Sequence, residues 1–111
     1  MTSAETTTEW MNMMDEHGDT VLGFYAALNM ADELAGHEEK FLSYKNNFDS
    51  TLLHHAVHYG ALECAKKIVK CCPLLSCQPD ANGTTPEQLS MMYDNTRMFK
   101  VLKSMSKIFK L

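Results

Sequence analysis

The sequence predicts an all-α fold of stacked helix-turn-helix pairs joined by short, hairpin-like turns. Threonine recurs at Thr20, Thr51 and Thr85, and the residues around each threonine fall into register. A run of turn-forming residues precedes each threonine, and a residue type that tolerates left-handed backbone stands nine positions after it. Those three residues are Asn29, Gly60 and Asp94. Each copy is therefore expected to hold a turn, a short helix, a break and a second helix.

The turn before the first helix is clearest in the first and third copies. Their segments, DEHGDT at 15–20 and DANGTT at 80–85, share the pattern D-x-x-G-x-T, while the middle segment NNFDST keeps only polar turn formers. Thr51 and His54 have the spacing of a capping box, in which side chain and backbone satisfy each other's donors. The third copy repeats this spacing with Thr85 and Gln88. Pro86 suits the first helical position, where its missing N–H has no intrahelical partner.

The second helices are predicted at residues 31–41, 62–72 and 96–106. In the middle one, Leu62, Ala65, Ile68 and Val69 form one apolar stripe. A single helix pair of this size cannot bury its own apolar face. Three stacked pairs are the smallest array that makes one continuous core.

The middle copy carries a resemblance to a known family. Its segment TLLHHAVHYGALECAKKIVK is similar, nearly position by position, to the pattern T-P-L-H-x-A-x-x-G-x-L-E-x-x-K-x-L-L of the ankyrin repeat, and the threonine spacings of 31 and 34 residues fit that repeat. The third copy keeps Thr85 and Pro86 but has Glu87 and Gln88 in place of leucine and histidine, as capping repeats often do.

The resemblance implies an all-α ankyrin-repeat solenoid that forms one domain over residues 1–111. Its parts are an N-terminal extension or cap at 1–14, a degenerate repeat at 15–45, a central repeat at 46–79 and a C-terminal capping repeat at 80–111. In the first copy, Val21 and Gly23 stand where the family has proline and histidine. That copy is either a degenerate repeat or a helical pair packed on two true repeats.

Composition excludes several protein classes. The chain is 45% hydrophobic and 22% charged, with 3 Pro and 5 Gly, which is typical of a globular domain. The N-terminus lacks the basic and apolar regions of a signal peptide, and the most apolar window, 21–31, is too short to span a bilayer. We therefore expect a soluble protein of the cytoplasm, the nucleus or both. The four cysteines are expected to be reduced core thiols, because nothing else in the sequence is secretory and they lie within fourteen positions. They are a poor zinc set, since no CxxC occurs and the adjacent Cys71 and Cys72 would point apart on a helix.

Three histidines lie close together at His54, His55 and His58. His54 is explained by the helix start, His55 is expected to be half-buried between repeats, and His58 lies one turn beyond His54 as in paired zinc ligands. The glutamate of an H-E-x-x-H helix is missing, and so are phosphate loops, GxGxxG and GxSxG. We therefore predict no enzyme activity, no metal site and no cofactor.

The ankyrin resemblance implies a protein-binding module that grips its partner with its turns and first-helix ends. Carrying the family's contact positions onto this chain gives a set rich in aromatic, Met and Leu side chains, which are enriched at interfaces. The predicted partner-binding residues are Glu16, His17, Asp19, Leu28, Asn47, Phe48, Ser50, His58, Tyr59, Asn82, Thr84, Met92 and Tyr93. The function predicted is that of a regulatory, inhibitory or adaptor subunit in a heteromeric complex.

Charge is distributed unevenly along the chain. Residues 1–39 hold nine acids and no Lys or Arg, whereas residues 40–111 hold all ten basic residues against five acids. The acidic half either keeps an exposed end soluble or orients a partner that carries a basic patch. The alternative function is nucleic-acid or chromatin binding through Lys100, Lys103, Lys107 and Lys110. The net charge of −4 argues against it, and no membrane partner is expected.

Overall fold

The computed structural model describes Gly18 and residues 20–108, with side chains described as far as Met105. Every regular element in this range is helical and none is a strand, which confirms the all-α prediction. The α-helices are α1 (Val21–Ala27), α2 (Ala31–Leu34), α3 (Leu52–His58), α4 (Leu62–Cys71), α5 (Pro86–Met92) and α6 (Thr96–Ile108). Two 3₁₀ segments occupy Glu38–Lys40 and Pro73–Cys77. None of the helices between residues 20 and 108 has the length and apolar composition needed to cross a membrane.

The first helix of each pair ends in the same way. Asn29, Gly60 and Asp94 have φ values of 57°, 68° and 54°, so the predicted left-handed breaks are confirmed. At each break the next residue donates its N–H to a carbonyl oxygen one turn back in the helix. The N···O distance is 2.7 Å from Ala61 to Ala56, and the equivalent bonds after α1 and α5 measure 2.8 and 2.9 Å. This six-to-one bond after a left-handed residue is the Schellman motif, which satisfies carbonyls that the helix end would leave unpaired.

The starts of α3 and α5 are held by capping boxes. The Thr51 hydroxyl accepts from the His54 N–H, and the His54 ring accepts from the Thr51 N–H. Thr85 and Gln88 make the same reciprocal pair at α5, so both predicted boxes are confirmed. At α1, Thr20 has the same extended backbone but makes no side-chain cap.

The helices pack in two layers around one core. In one layer α3 packs against α1 and α5, and in the other α4 packs against α2 and α6. The face of α3 is completely buried at Leu52, Leu53 and Ala56, and α4 buries Ile68 and Val69 as its predicted stripe requires. Burying one such aliphatic side chain is worth about 1.5–3 kcal/mol, so the middle pair contributes much of the core.

The second helix of the first pair is shorter than predicted. The prediction of one helix over 31–41 is wrong, because α2 ends at Leu34 and a separate 3₁₀ turn follows at Glu38–Lys40. Between them Gly36 has a φ of 90°, which an α-helix cannot contain. Phe41 and Tyr44 are buried nonetheless, so the irregular segment still covers the core.

The end of α4 also departs from the prediction. The prediction continued the helix to Cys72, but Cys72 has φ −132° and ψ 74°, and the 3₁₀ segment Pro73–Cys77 follows it. Because Cys72 leaves the helix, the expectation that the Cys71 and Cys72 side chains point apart is wrong. Their Sγ atoms lie 3.6 Å from each other.

Candidate functional site

Two turns of the same design stand before α3 and α5. The Asn46 side-chain oxygen accepts from the N–H groups of Phe48 at 2.9 Å and Ser50 at 3.0 Å. The Asp80 carboxylate accepts in the same pattern from Asn82 and Thr84, at 2.9 and 3.0 Å. An Asn or Asp side chain that bonds to backbone two residues on is the usual way to fix such a turn.

Both turns also share a left-handed residue at the same step. Asp49 has a φ of 56° in the middle turn, where the third turn has Gly83 at 77°. The Ala81 N–H donates to the Phe48 carbonyl oxygen over 2.9 Å, so the two turns are joined edge to edge. The polar residues of NNFDST therefore form the same turn as the D-x-x-G-x-T segment at 80–85, as the sequence predicts.

His54 joins the middle helix start to the next turn. Its Nδ1 accepts from the Thr51 N–H at 3.1 Å, so the ring proton is on Nε2, which donates to the Thr84 carbonyl oxygen at 2.7 Å. Burial lowers the pKa of His54 below its ordinary value of 6.5, while the bond to Thr84 and the charge of Asp80 act in the opposite direction. Protonation of Nδ1 would leave the Thr51 N–H without its acceptor. The geometry and the lowered pKa therefore both favour the neutral imidazole.

The turns and the ends of α3 and α5 enclose a groove of about 490 Å³. We call it the turn groove. Its lining residues are Asn46, Phe48, Ser50, His54, His55, His58, Tyr59, Asp80, Asn82, Thr84, Leu89, Met92 and Tyr93. Asp80 is the one charged carboxylate among them, and no Lys or Arg contributes to this lining.

One wall of the turn groove is a cluster of rings. His58 and Tyr93 share a hydrogen bond of 2.6 Å between Nδ1 and the phenol oxygen, and the two ring centroids are 5.4 Å apart. Tyr59 lies edge-on to His58 at 4.7 Å and is stacked with His55 at 6.3 Å. His55 is half-buried and lies within 3.4 Å of the Tyr44 phenol oxygen, as expected for an imidazole between neighbouring elements. These contacts orient the exposed rings relative to one another.

The structure brings together most of the predicted partner-binding residues that it describes. Those that line the turn groove are Phe48, Ser50, His58, Tyr59, Asn82, Thr84, Met92 and Tyr93. Leu28 is 69% exposed at the end of α1, and Asn47 is exposed in the middle turn, but neither lines the groove. Glu16, His17 and Asp19 lie outside the described residues.

Five groove residues were not among the predicted contacts: Asn46, His54, His55, Asp80 and Leu89. A signal for two of them was present in the sequence. Asn46 and Asp80 occupy the first position of the turn pattern, so the same periodicity that located the turns could have placed them beside the groove.

Two further sequence features are the possible metal ligands and the lysines of α6. Among residues 20–105, no three His, Cys, Asp or Glu side chains are grouped so that they could hold a metal ion. On α6, Lys103 pairs with the Glu87 carboxylate at 3.5 Å and lies 6.0 Å from the centre of the Phe99 ring. Lys110 and the side chain of Lys107 lie outside the described part of the chain.

The chain was also compared with known proteins. No model of a known protein family matches it, and no curated protein matches it significantly.

Proposed function

We propose that this chain is a non-catalytic protein-interaction module of the ankyrin-repeat type, which acts as a regulatory, inhibitory or adaptor subunit by gripping one protein partner in the turn groove. One observation carries the proposal. Phe48, Tyr59, Met92 and Tyr93 are between 49% and 68% exposed, and all four surround the same groove. Scattered single apolar residues are normal on a protein surface, but a cluster in a concavity indicates a binding surface.

The local architecture supports the ankyrin type. The described helices form pairs with left-handed joints, the turns before α3 and α5 share one hydrogen-bond pattern, and the histidine of the capping box reaches the following turn. The left-handed joints and the recurring turns are features that the repeat pattern of the sequence implies, and the bond from His54 to Thr84 adds a contact between neighbouring copies.

The chemistry of the groove favours a protein as ligand. Tyrosine offers a large apolar ring and a hydroxyl at modest entropic cost, which is why Tyr is enriched at interface centres. Covering a fully exposed apolar side chain contributes about 1.5–3 kcal/mol, and these four are roughly half exposed, so covering all of them contributes about 3–7 kcal/mol before the cost of association is subtracted. Contacts of Tyr59 and Tyr93 with His58 favour one arrangement of the rings and so lower part of the ordering cost of binding.

Affinity purification with matched variants tests the proposal. The test variant replaces Phe48, Tyr59 and Tyr93 by Ala, and the control replaces Leu42 and Leu74 by Ala. Leu42 and Leu74 are 60% and 64% exposed and lie outside the groove, so the control removes exposed apolar surface from elsewhere on the protein. We expect one protein to be recovered with the wild type and the control but lost from the triple variant. Recovery with all three proteins would contradict the proposal.

The nucleic-acid alternative makes a different prediction in the same variants. A gel shift that weakens with salt, and that Lys100→Glu with Lys103→Glu abolishes while the triple alanine variant does not, would favour it over the proposed function.

A further inference from the structure

The end of α4 places two thiols in contact. Cys71 is the last residue of α4, and Cys72 turns out of the helix at φ −132°. On a continuing helix, adjacent side chains would diverge by about 100° around the axis. The change of direction brings the two Sγ atoms to 3.6 Å instead, so one atom can bond to both of them.

The pair is reached from one side. Cys71 is exposed and lines a surface depression of about 410 Å³, together with lysines of α4. Cys72 is only 7% exposed and lies beneath it. Cys64 is buried in the core, whereas Cys77 is exposed at the end of the 3₁₀ segment, so the prediction of core thiols is wrong for Cys71 and Cys77. Among the four cysteines, the contact of 3.6 Å thus joins one accessible thiol to one protected thiol.

We propose that Cys71 and Cys72 form a dithiol site for a single soft, thiophilic centre, of which trivalent arsenic is the class that fits. Soft sulfur ligands select soft centres. An arsenoxide, R–As=O, reacts with two thiols by forming two As–S bonds, and its oxygen leaves as water with both thiol protons. No electron is transferred, so the step needs no oxidant.

The structure favours this ligand class over zinc. A structural zinc ion takes four ligands, usually Cys or His. In the part of the chain with described side chains, no third Cys, His, Asp or Glu is grouped with this pair. Two sulfur atoms in contact satisfy an aryl arsenical, whose third bond is to its own carbon.

The two bonds form in a fixed order. Burial and, to a smaller extent, contact with the Cys71 thiol together raise the pKa of the Cys72 thiol to about 11. Cys72 is therefore protonated at neutral pH, and thiolates are the better nucleophiles. The exposed Cys71 bonds first, and Cys72 closes the ring once the arsenic is held beside it.

Phenylarsine oxide is the probe that tests the site, with intact-protein mass spectrometry as the readout. We expect the wild type to take up one phenylarsine with loss of one water, to retain it in excess mercaptoethanol and to release it to the dithiol dimercaptopropanol. Holding two sulfurs on one chain strengthens binding by about 10² to 10⁴-fold over one sulfur. Retention should fall by that factor in Cys71→Ser and in Cys72→Ser, whereas the matched exposed-thiol control Cys77→Ser should behave as the wild type.

Two outcomes would overturn the proposal. Retention by Cys71→Ser equal to that of the wild type would place the arsenical elsewhere, and loss in Cys77→Ser would show that Cys71 pairs with Cys77. Because Cys72 is buried, its replacement can disturb folding. Cys72→Ala and circular dichroism check this, and the comparison of Cys71→Ser with Cys77→Ser decides the outcome even where both Cys72 variants unfold.

Discussion

The first and middle helix pairs share a layout but differ in how the turn holds the helix that follows it. In the middle pair, His54 closes a capping box with Thr51 and also bonds to the next turn at Thr84. In the first pair, Gly23 stands where the histidine would be, and Thr20 makes no side-chain cap. The backbone at the two threonines is nearly the same, with ψ values of 179° and 173°, and Gly23 has no side chain that could close a capping box.

The second helices of these pairs differ too. The helix α4 runs for ten residues, whereas α2 stops after four and the chain continues through Gly36 into a 3₁₀ turn. Yet both pairs keep the left-handed joint, at Asn29 and at Gly60. The left-handed joint is therefore the feature that all copies need, because it turns the chain back onto the core. The cap and a long second helix add stability where the pair is packed from both sides.

Removing the His54 side chain should have the largest effect on stability. In His54→Ala the Thr51 N–H and the Thr84 carbonyl lose their partners, and Thr51 is fully buried. A lost cap and a buried unsatisfied group together cost about 2–4 kcal/mol. The measurement is urea unfolding followed by circular dichroism. The matched control is Gln88→Ala. Gln88 closes an exposed capping box and makes no bond like that of His54 to Thr84, so the expected loss is about 1 kcal/mol. Equal losses would mean that the link to Thr84 contributes nothing.

Asn29 contributes to the joint of the first pair through both its backbone and its side chain, and two substitutions separate these contributions. Its backbone is left-handed, and its side-chain oxygen accepts from the Cys64 N–H near the start of α4 at 3.1 Å. Asn29→Gly keeps the backbone conformation and removes the bond, for an expected loss of about 1 kcal/mol. Asn29→Ala removes both, for about 2 kcal/mol, since a left-handed non-glycine residue costs about 1–2 kcal/mol. Identical unfolding midpoints for the two variants would show that the joint does not depend on the conformation of this residue.

A smaller effect on stability is expected from replacing the capping box of α3 by the box found at α5. His54→Gln reproduces the Thr85 and Gln88 box, so the cap is kept while the Nε2 bond and the titrating group are lost. We expect it to be about 1 kcal/mol more stable than His54→Ala at neutral pH.

The same variant should change the pH dependence of unfolding. The pKa of His54 is lowered in the folded state. The stability that the neutral His54 ring contributes is therefore fully present above pH 6.5, the ordinary pKa of histidine. Below pH 6.5 the unfolded chain takes up the proton first, and stability falls until the pH passes the lowered folded-state pKa, by at most about 1.4 kcal/mol per pH unit. His54→Gln should flatten this decline between pH 6.5 and the lowered pKa. An unchanged slope would assign the pH dependence to other groups.

Features that depend on neighbouring residues could be predicted from the sequence, and features that depend on stacking could not. The caps at Thr51 and Thr85 need only four consecutive residues. The bond from His54 to Thr84 joins residues 30 positions apart, and it exists because the helix pairs stack at a particular distance. The break at Gly36 was missed because the apolar spacing to Phe41 suits a helix, while Phe41 reaches the core from an irregular segment instead.

In the turn groove, too, some features could be predicted from the sequence and others could not. Tyr59 and Tyr93 could be placed on it because they recur just before the left-handed joints, one repeat apart. The contact of Tyr93 with His58 could not be predicted, since it joins side chains of two different helix pairs.

The smallest effect on stability should come from His58, which sharpens the contrast with His54 four residues before it. The ring is exposed, and its one hydrogen bond is to the phenol of Tyr93. Water can replace an exposed bond, so His58→Ala should change the free energy of unfolding by less than about 0.5 kcal/mol. Tyr93→Phe removes the phenol and keeps the ring, and the double variant measures the coupling between the two. We expect a coupling of about 0.5 kcal/mol at most in the free protein, while recovery of the partner falls in both single variants. If His58→Ala destabilised the fold as much as His54→Ala, and added zinc raised the unfolding midpoint of the wild type but of neither variant, the two histidines would be metal ligands and the view of His58 as a contact residue would be wrong.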